Sequence, residues 1–214
     1  MKIAIPKGRL QERVITLLAM SGINVHFRSE NDYNPIASDA EVMLCVKKPR
    51  AIPQLVSLGI YDLGFVGLDI VCENDYEDVK VLCELGYNPV DLVVATSRGN
   101  ADILKHPPQR PIRIATEYEN LADRWAMKHR LAHITIQTFG STEGYALEDA
   151  DIIFDCRETG VTIADNQLVV LDTIVKSSTV LIGNKKSPQD HTQAKKIRGL
   201  VSRIEKFIKT DDER

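Results

Sequence analysis

The residues best suited to chemistry lie between Asp151 and Thr162, where Asp151-Ile152-Ile153-Phe154-Asp155 leads into Cys156-Arg157-Glu158-Thr159-Gly160-Val161-Thr162. Read along the chain, this is a short apolar strand, an acidic residue at its end, a tight polar turn and then a helix. That order suits a phosphate. A glycine lets the backbone approach an anion closely. Free N–H groups at a helix start present roughly half a positive charge to it. Thr159 and Thr162 add hydroxyls, and Asp155, just before the turn, suits a neighbouring sugar hydroxyl. A plain strand-to-helix connection has the same outline, so the rest of the chain must decide.

Other polar residues follow other strands. Lys2–Pro6 reads as a buried strand, with Lys7 and Arg9 in the turn after it and a helix from there to about Ser21. The polar stretch 23–39 reads as a hairpin or loop around Asn34-Pro35. Val42–Val46 is a strand followed by Arg50 and a short helix; Asp62–Val66 is a strand followed by Asp69 and another. In open α/β sheets the carboxyl ends of the strands form the ligand edge, so Lys7, Arg9, Arg50 and Asp69 suggest a shared cleft, in which the cations Lys7 and Arg9 suit an anionic ligand. Solvated turns are the plainer alternative. Past a boundary near residue 90 the alternation restarts: strands over 91–96, 112–116 and 134–138, a helix from Asn120, its expected cap, to about Arg130, and Trp125 and Met127 on its core face or against the other lobe. Residues 168–182 suit strands crossing between halves. A final helix over 192–209, apolar at Ile197, Leu200, Val201, Ile204 and Phe207, is expected to return to the first half. The alternation implies parallel pairing.

Composition narrows the classes. The chain has 214 residues, 43% of them hydrophobic and 27% charged, with a formal net charge of −3. That is ordinary globular composition, without the basic excess of a general nucleic-acid binder. No apolar run spans a bilayer, and the N-terminus enters a strand pattern at once, so no membrane segment or signal peptide is expected. Cys45, Cys72, Cys83 and Cys156 are scattered, which disfavours a disulfide framework or zinc site and fits a reducing cytoplasm. The five histidines form no catalytic set, and neither a Walker phosphate loop nor a dinucleotide fingerprint is present.

Taken in order and spacing, Pro6-Lys7-Gly8-Arg9-Leu10, the stretch from Asp62 to Asp69, Arg113-Ile114-Ala115-Thr116, Gly140-Ser141-Thr142-Glu143 and the stretch from Asp151 to Asn166 resemble ATP phosphoribosyltransferase, the enzyme that opens histidine biosynthesis. The resemblance spans nearly the whole chain and is to the short form. It implies an α/β, two-lobed periplasmic-binding-protein-like fold (type II) with a ligand cleft between lobes. Residues 1–90 plus 182–214 would form the ATP lobe and 91–181 the lobe for 5-phosphoribosyl diphosphate (PRPP). Glu158, Thr159, Gly160, Val161 and Thr162 would receive the 5-phosphate. Asp155, Asp151 and Glu143 would face the ribose or metal, and Lys7, Arg9, Arg50 and Asp69 the ATP or the diphosphate. Mg²⁺ would be held mainly through substrate phosphates. The implied assembly is a homodimer within a hetero-oligomer that contains a regulatory subunit related to histidyl-tRNA synthetase. A different phosphoribosyl acceptor, or a ligand-binding module without catalysis, are the alternatives.

The chain departs from the family pattern on the ATP side. Glu30-Asn31-Asp32-Tyr33 stands where an Arg-rich stretch usually precedes a Tyr, and Leu68 where a basic residue is usual. Fewer cations are therefore expected there.

Overall fold

The computed structural model describes residues 1–146, 148–158, 168–186 and 191–212. The chain divides into two compact units, Met1–Asn88 with Ser178–Arg214, and Pro89–Ser177.

The first unit is built on β1 (Lys2–Pro6), whose Ile3, Ala4 and Ile5 are fully buried. It runs parallel to β4 (Met43–Lys47) on one side and β5 (Leu63–Gly67) on the other. Strands covered on both faces read as unbroken apolar runs, and β5 is buried at every position. The stretch after α1 (Gln11–Met20) forms the hairpin β2 (Val25–His26) and β3 (Ile36–Ala37), which extends the sheet beyond β4. At the other side β12 (Thr179–Asn184) lies antiparallel between β5 and β6 (Val79–Glu84). The order is β2-β3-β4-β1-β5-β12-β6. Helix α2 (Ile52–Ser57) covers one face with Ile52 and Val56, and α3 (Leu68–Asn74) follows β5. The other face takes Val14, Leu17 and Leu18 of α1. It also takes Ile197, Leu200 and Ile204 from the helix His191–Asp212.

Parallel pairing holds for β1, β4 and β5. It fails for β6, which reaches the sheet only through β12. The chain returns to the first unit between Ser177 and Ser178 rather than between 181 and 182, because all of β12 is hydrogen-bonded within the first sheet.

The second unit has the order β11-β7-β10-β8-β9. Its strands are β7 (Val90–Ser97), β8 (Ile112–Thr116), β9 (His133–Gln137), β10 (Ile152–Glu158) and β11 (Leu168–Ser177). β8 is parallel to β9 and β10, whereas β7 is antiparallel to β10 and β11. Helix α4 (Glu119–Lys128) begins one residue before Asn120, which therefore lies in the first turn and not at the cap. Trp125 is buried as expected; Met127 is 70% exposed and faces away from the core. The Trp125 indole N–H donates to Asp172 on β11 (3.0 Å), and its ring meets Phe154 of β10 edge-on at 5.4 Å. That contact braces β10 one residue before Asp155. No described helix is long and apolar enough to cross a membrane.

Candidate active site

In the second unit the candidate residues lie on or just after the parallel strands β8, β9 and β10. Pairing of β10 with β8 ends at Phe154 opposite Thr116. Beyond that point β10 continues on β7 alone, from Asp155 opposite Val93 to Glu158 opposite Val90. Asp155 thus stands where the strand passes the end of β8. The expected tight turn at Cys156–Glu158 is strand, because Asp91, Leu92 and Val93 supply an antiparallel partner that the local pattern does not reveal. Glu158 is its last residue and is exposed. Thr159, Gly160, Val161 and Thr162 lie outside the described residues.

Two more carboxylates converge on Asp155. Glu143 sits in the 3₁₀ turn Thr142–Ala146 that follows β9, and a 2.8 Å contact between the Thr138 and Thr142 hydroxyls ties that turn to the strand end. Glu117 follows β8, where the Thr116 hydroxyl accepts the Tyr118 N–H at 2.7 Å and turns the chain. Burial first, then the charges of Glu143 and Glu117, push the Asp155 carboxyl up to about 6, against a 2.8 Å hydrogen bond from the Cys156 N–H that pulls it down. Glu117 was missed in the sequence. Its one signal was its place immediately past a strand at the ligand edge.

Asp151 belongs to a different structure. It precedes β10 and lies four residues from Asp155, roughly 13 Å along an extended strand. Its carboxylate, 7% exposed, accepts from Arg110 at 2.7 and 2.9 Å and from the Arg113 N–H and Nη2 at 2.9 and 3.2 Å. Arg110 chiefly, and Arg113 after it, hold its carboxyl well below the usual range against the cost of burial. The structure therefore does not bring Asp151 together with Asp155 and Glu143; it joins the loop before β8 to the start of β10. A depressed carboxyl contributes stability above its unfolded value and loses it as pH falls. Asp151→Asn is accordingly expected to lower stability at pH 7 by on the order of 1–3 kcal/mol, moderated because both arginines keep water contact. The deficit should shrink below pH 4 in thermal melts, with turnover at 25 °C retained.

In the first unit, Lys7, Arg9, Arg50 and Asp69 all follow the carboxyl ends of β1, β4 and β5, which are neighbours in the sheet. Gly8 adopts φ +98, a conformation that a side chain strains, and its carbonyl accepts the Gln11 N–H that starts α1. Lys7, Arg9 and Arg50 are exposed. Asp69, 7% exposed, lies in the first turn of α3 against Gly67, where a Cβ would overlap its carboxylate. It is built into the turn and favours the positive end of the helix. Leu68 packs against the apolar cluster under α2.

Asp32 does not face outward as a misplaced anion. It takes a two-pronged ion pair from Arg28, both prongs at 2.8 Å, and accepts the Arg28 and Asn34 N–H groups. The Lys7 ammonium reaches the neighbouring Tyr33 hydroxyl at 2.8 Å. Lys47 ends β4 and Lys48 follows it on the same edge, and neither was singled out in the sequence.

Residues 48–206 match the model of the ATP phosphoribosyltransferase family. The chain is 32% identical over 211 residues to the ATP phosphoribosyltransferase of Methanocaldococcus jannaschii, covering 97% of this chain and 73% of that protein. It is also 32% identical over 218 residues to that of Koribacter versatilis, with the same coverages of 97% and 73%. Among solved structures, the ATP phosphoribosyl transferase (HisG:HisZ) complex from Thermotoga maritima superposes with a TM-score of 0.85 at 26% identity, covering 98% of this chain and 99% of that one. The shared fold is α/β of the type II periplasmic-binding-protein kind. Protein AF1704 from Archaeoglobus fulgidus, at 14% identity and a TM-score of 0.56, shares the fold alone.

Proposed function

The chain belongs to the ATP phosphoribosyltransferase family, and from that premise we propose that the second unit holds PRPP and the first unit holds ATP. The family reaction opens histidine biosynthesis. The N1 lone pair of adenine forms a bond to the anomeric carbon of the phosphoribosyl group. The bond from that carbon to the diphosphate breaks, and its electrons leave with pyrophosphate. The sugar carbon passes through a cation-like state, so no protein nucleophile is needed. What must be supplied is orientation of two polyanions and stabilisation of the departing charge.

The observation that carries this division is the opposite character of the two ligand edges. Lys7, Arg9 and Arg50 follow the strands of the first unit; Asp155, Glu143 and Glu117 gather beyond the strands of the second. On this reading Asp155 and Glu143 receive ribose hydroxyls. Glu158, Thr159, Gly160, Val161 and Thr162 receive the 5-phosphate, while Lys7, Arg9 and Arg50 take the triphosphate or the leaving diphosphate. Asp151 and Asp69 hold their turns in place. Among the described residues no set of three or more His, Cys, Asp or Glu side chains is arranged to hold a metal. Mg²⁺ would ride mainly on substrate phosphates, with Asp155 and Glu143 as the carboxylates that suit it, and would add charge stabilisation to the leaving group. The assembly would be a homodimer joined by a regulatory subunit related to histidyl-tRNA synthetase. The Thermotoga maritima protein is itself in a HisG:HisZ complex. Cys45, Cys72, Cys83 and Cys156, none of them in a disulfide, suit a cytoplasmic setting.

The direct test mixes the purified chain with ATP, PRPP and Mg²⁺ and follows ultraviolet absorbance. N1-phosphoribosyl-ATP should form, faster with the regulatory subunit present. No product from either preparation, while PRPP still binds, overturns the proposal.

A further inference from the structure

We infer that Tyr33 is a positioning residue for Lys7, holding its ammonium at the strand edge of the first unit for the polyphosphate of the nucleotide substrate. This rests on the placement of ATP proposed above. The Lys7 Nζ donates to the Tyr33 hydroxyl at 2.8 Å and lies 4.8 Å from the centre of its ring. One of its three N–H bonds is thereby committed and two remain for phosphate oxygens. A lysine on a loose four-carbon stem must be ordered when its ligand binds, at a cost in affinity. Tyr33 orders it beforehand.

Tyr33 can do so because its own segment is fixed. Arg28 and Asp32 close the loop with their two-pronged pair, and Asp32, its side chain 5% exposed, accepts backbone N–H groups from both ends. Arg28 also reaches the Asn34 carbonyl at 3.0 Å. The Tyr33 carbonyl accepts the Val46 N–H at 2.9 Å, and the Asn34 amide oxygen accepts from the Cys45 thiol at 3.3 Å, so the loop is pinned to β4. The ring stays 48% exposed, facing water rather than filling a core. Arg28 is committed to closing the loop, and the cation beside the ring comes from Lys7, just after β1.

The test compares Lys7→Ala, Tyr33→Phe and the double variant by steady-state kinetics. Lys7→Ala should raise KM for ATP about 10–100-fold, the range of a charge-assisted contact. Tyr33→Phe keeps the ring and removes only the acceptor. It should raise KM for ATP about 2–10-fold, the range of one hydrogen bond, with KM for PRPP, kcat and melting temperature held. In the Lys7→Ala background the same change should add nothing, because Tyr33 acts through the lysine. An undiminished effect in that background, or no effect in the wild type, overturns the inference while leaving ATP on the first unit. An unchanged KM for ATP in Lys7→Ala also overturns the inference and leaves Lys7 to the departing diphosphate, while loss of the placement of ATP itself would show as an unchanged KM for ATP in Lys7→Ala, Arg9→Ala and Arg50→Ala alike.

Discussion

Asp155→Asn should be slower and more stable at once. Turnover is expected to fall about 10–100-fold, the range of one lost charge-assisted contact, while the melting temperature above pH 6 rises. The cause is the crowding of Asp155 with Glu143 and Glu117 in a poorly solvated place, which pushes its carboxyl up to about 6. The folded protein therefore holds a proton that the unfolded chain has released, between the usual carboxylate value and about pH 6. Stability from this group falls as pH rises through that interval. The asparagine variant lacks that loss. Its advantage over wild type should be nil near pH 4, grow to pH 6 and stay level beyond. It can still accept the Cys156 N–H, so β10 keeps its shape. PRPP with Mg²⁺ should raise the melting temperature of wild type more than that of the variant, since binding stabilises by mass action. Scanning calorimetry across pH checks the first part and initial rates the second. Wild-type turnover, or lower stability above pH 6, sinks the assignment.

Arg50→Ala is expected to reduce kcat about 100-fold, the scale on which one donor to developing charge acts, with PRPP affinity unchanged. Arg50 is exposed in the 3₁₀ turn Pro49–Ala51 after β4, so any loss of stability should stay within about 1 kcal/mol, the range of a surface contact. Arg50→Lys should recover only part of the rate, because an ammonium lacks the planar fork that matches a phosphate. Wild-type rates in both variants would return the residues of this edge to solvated turns.

The elements of this fold were legible where the apolar pattern is local. β1, β5 and the helix His191–Asp212 each announce themselves by an unbroken run or a helical stripe. Pairing was less legible, because it is decided by residues far away in sequence. Nothing around Val79 announces β12, which arrives a hundred residues later. Nothing around Cys156 announces β7, which turns an expected bend into strand. The site residues divide in the same way. Lys7, Arg9, Arg50, Asp155 and Glu143 were visible as polar groups near strand ends. Asp151 shared that signal, and only the arginines converging on it from 110 and 113 show that it ties the strand down at its other end. Asp32 looked like a charge of the wrong sign until Arg28 was found across the loop.

The second unit is a single unbroken stretch, whereas the first is interrupted by it. During synthesis from the N-terminus, 89–177 has all its strands before the first unit has β12 or its last helix. That helix supplies Ile197, Leu200 and Ile204, each worth about 1.5–3 kcal/mol when fully buried. Folding is therefore expected to proceed from the inside of the sequence outward, with the second unit assembled first. On the proposed assignment, the half for the phosphoribosyl donor would therefore be assembled before the half for the acceptor receives β12 and the helix His191–Asp212.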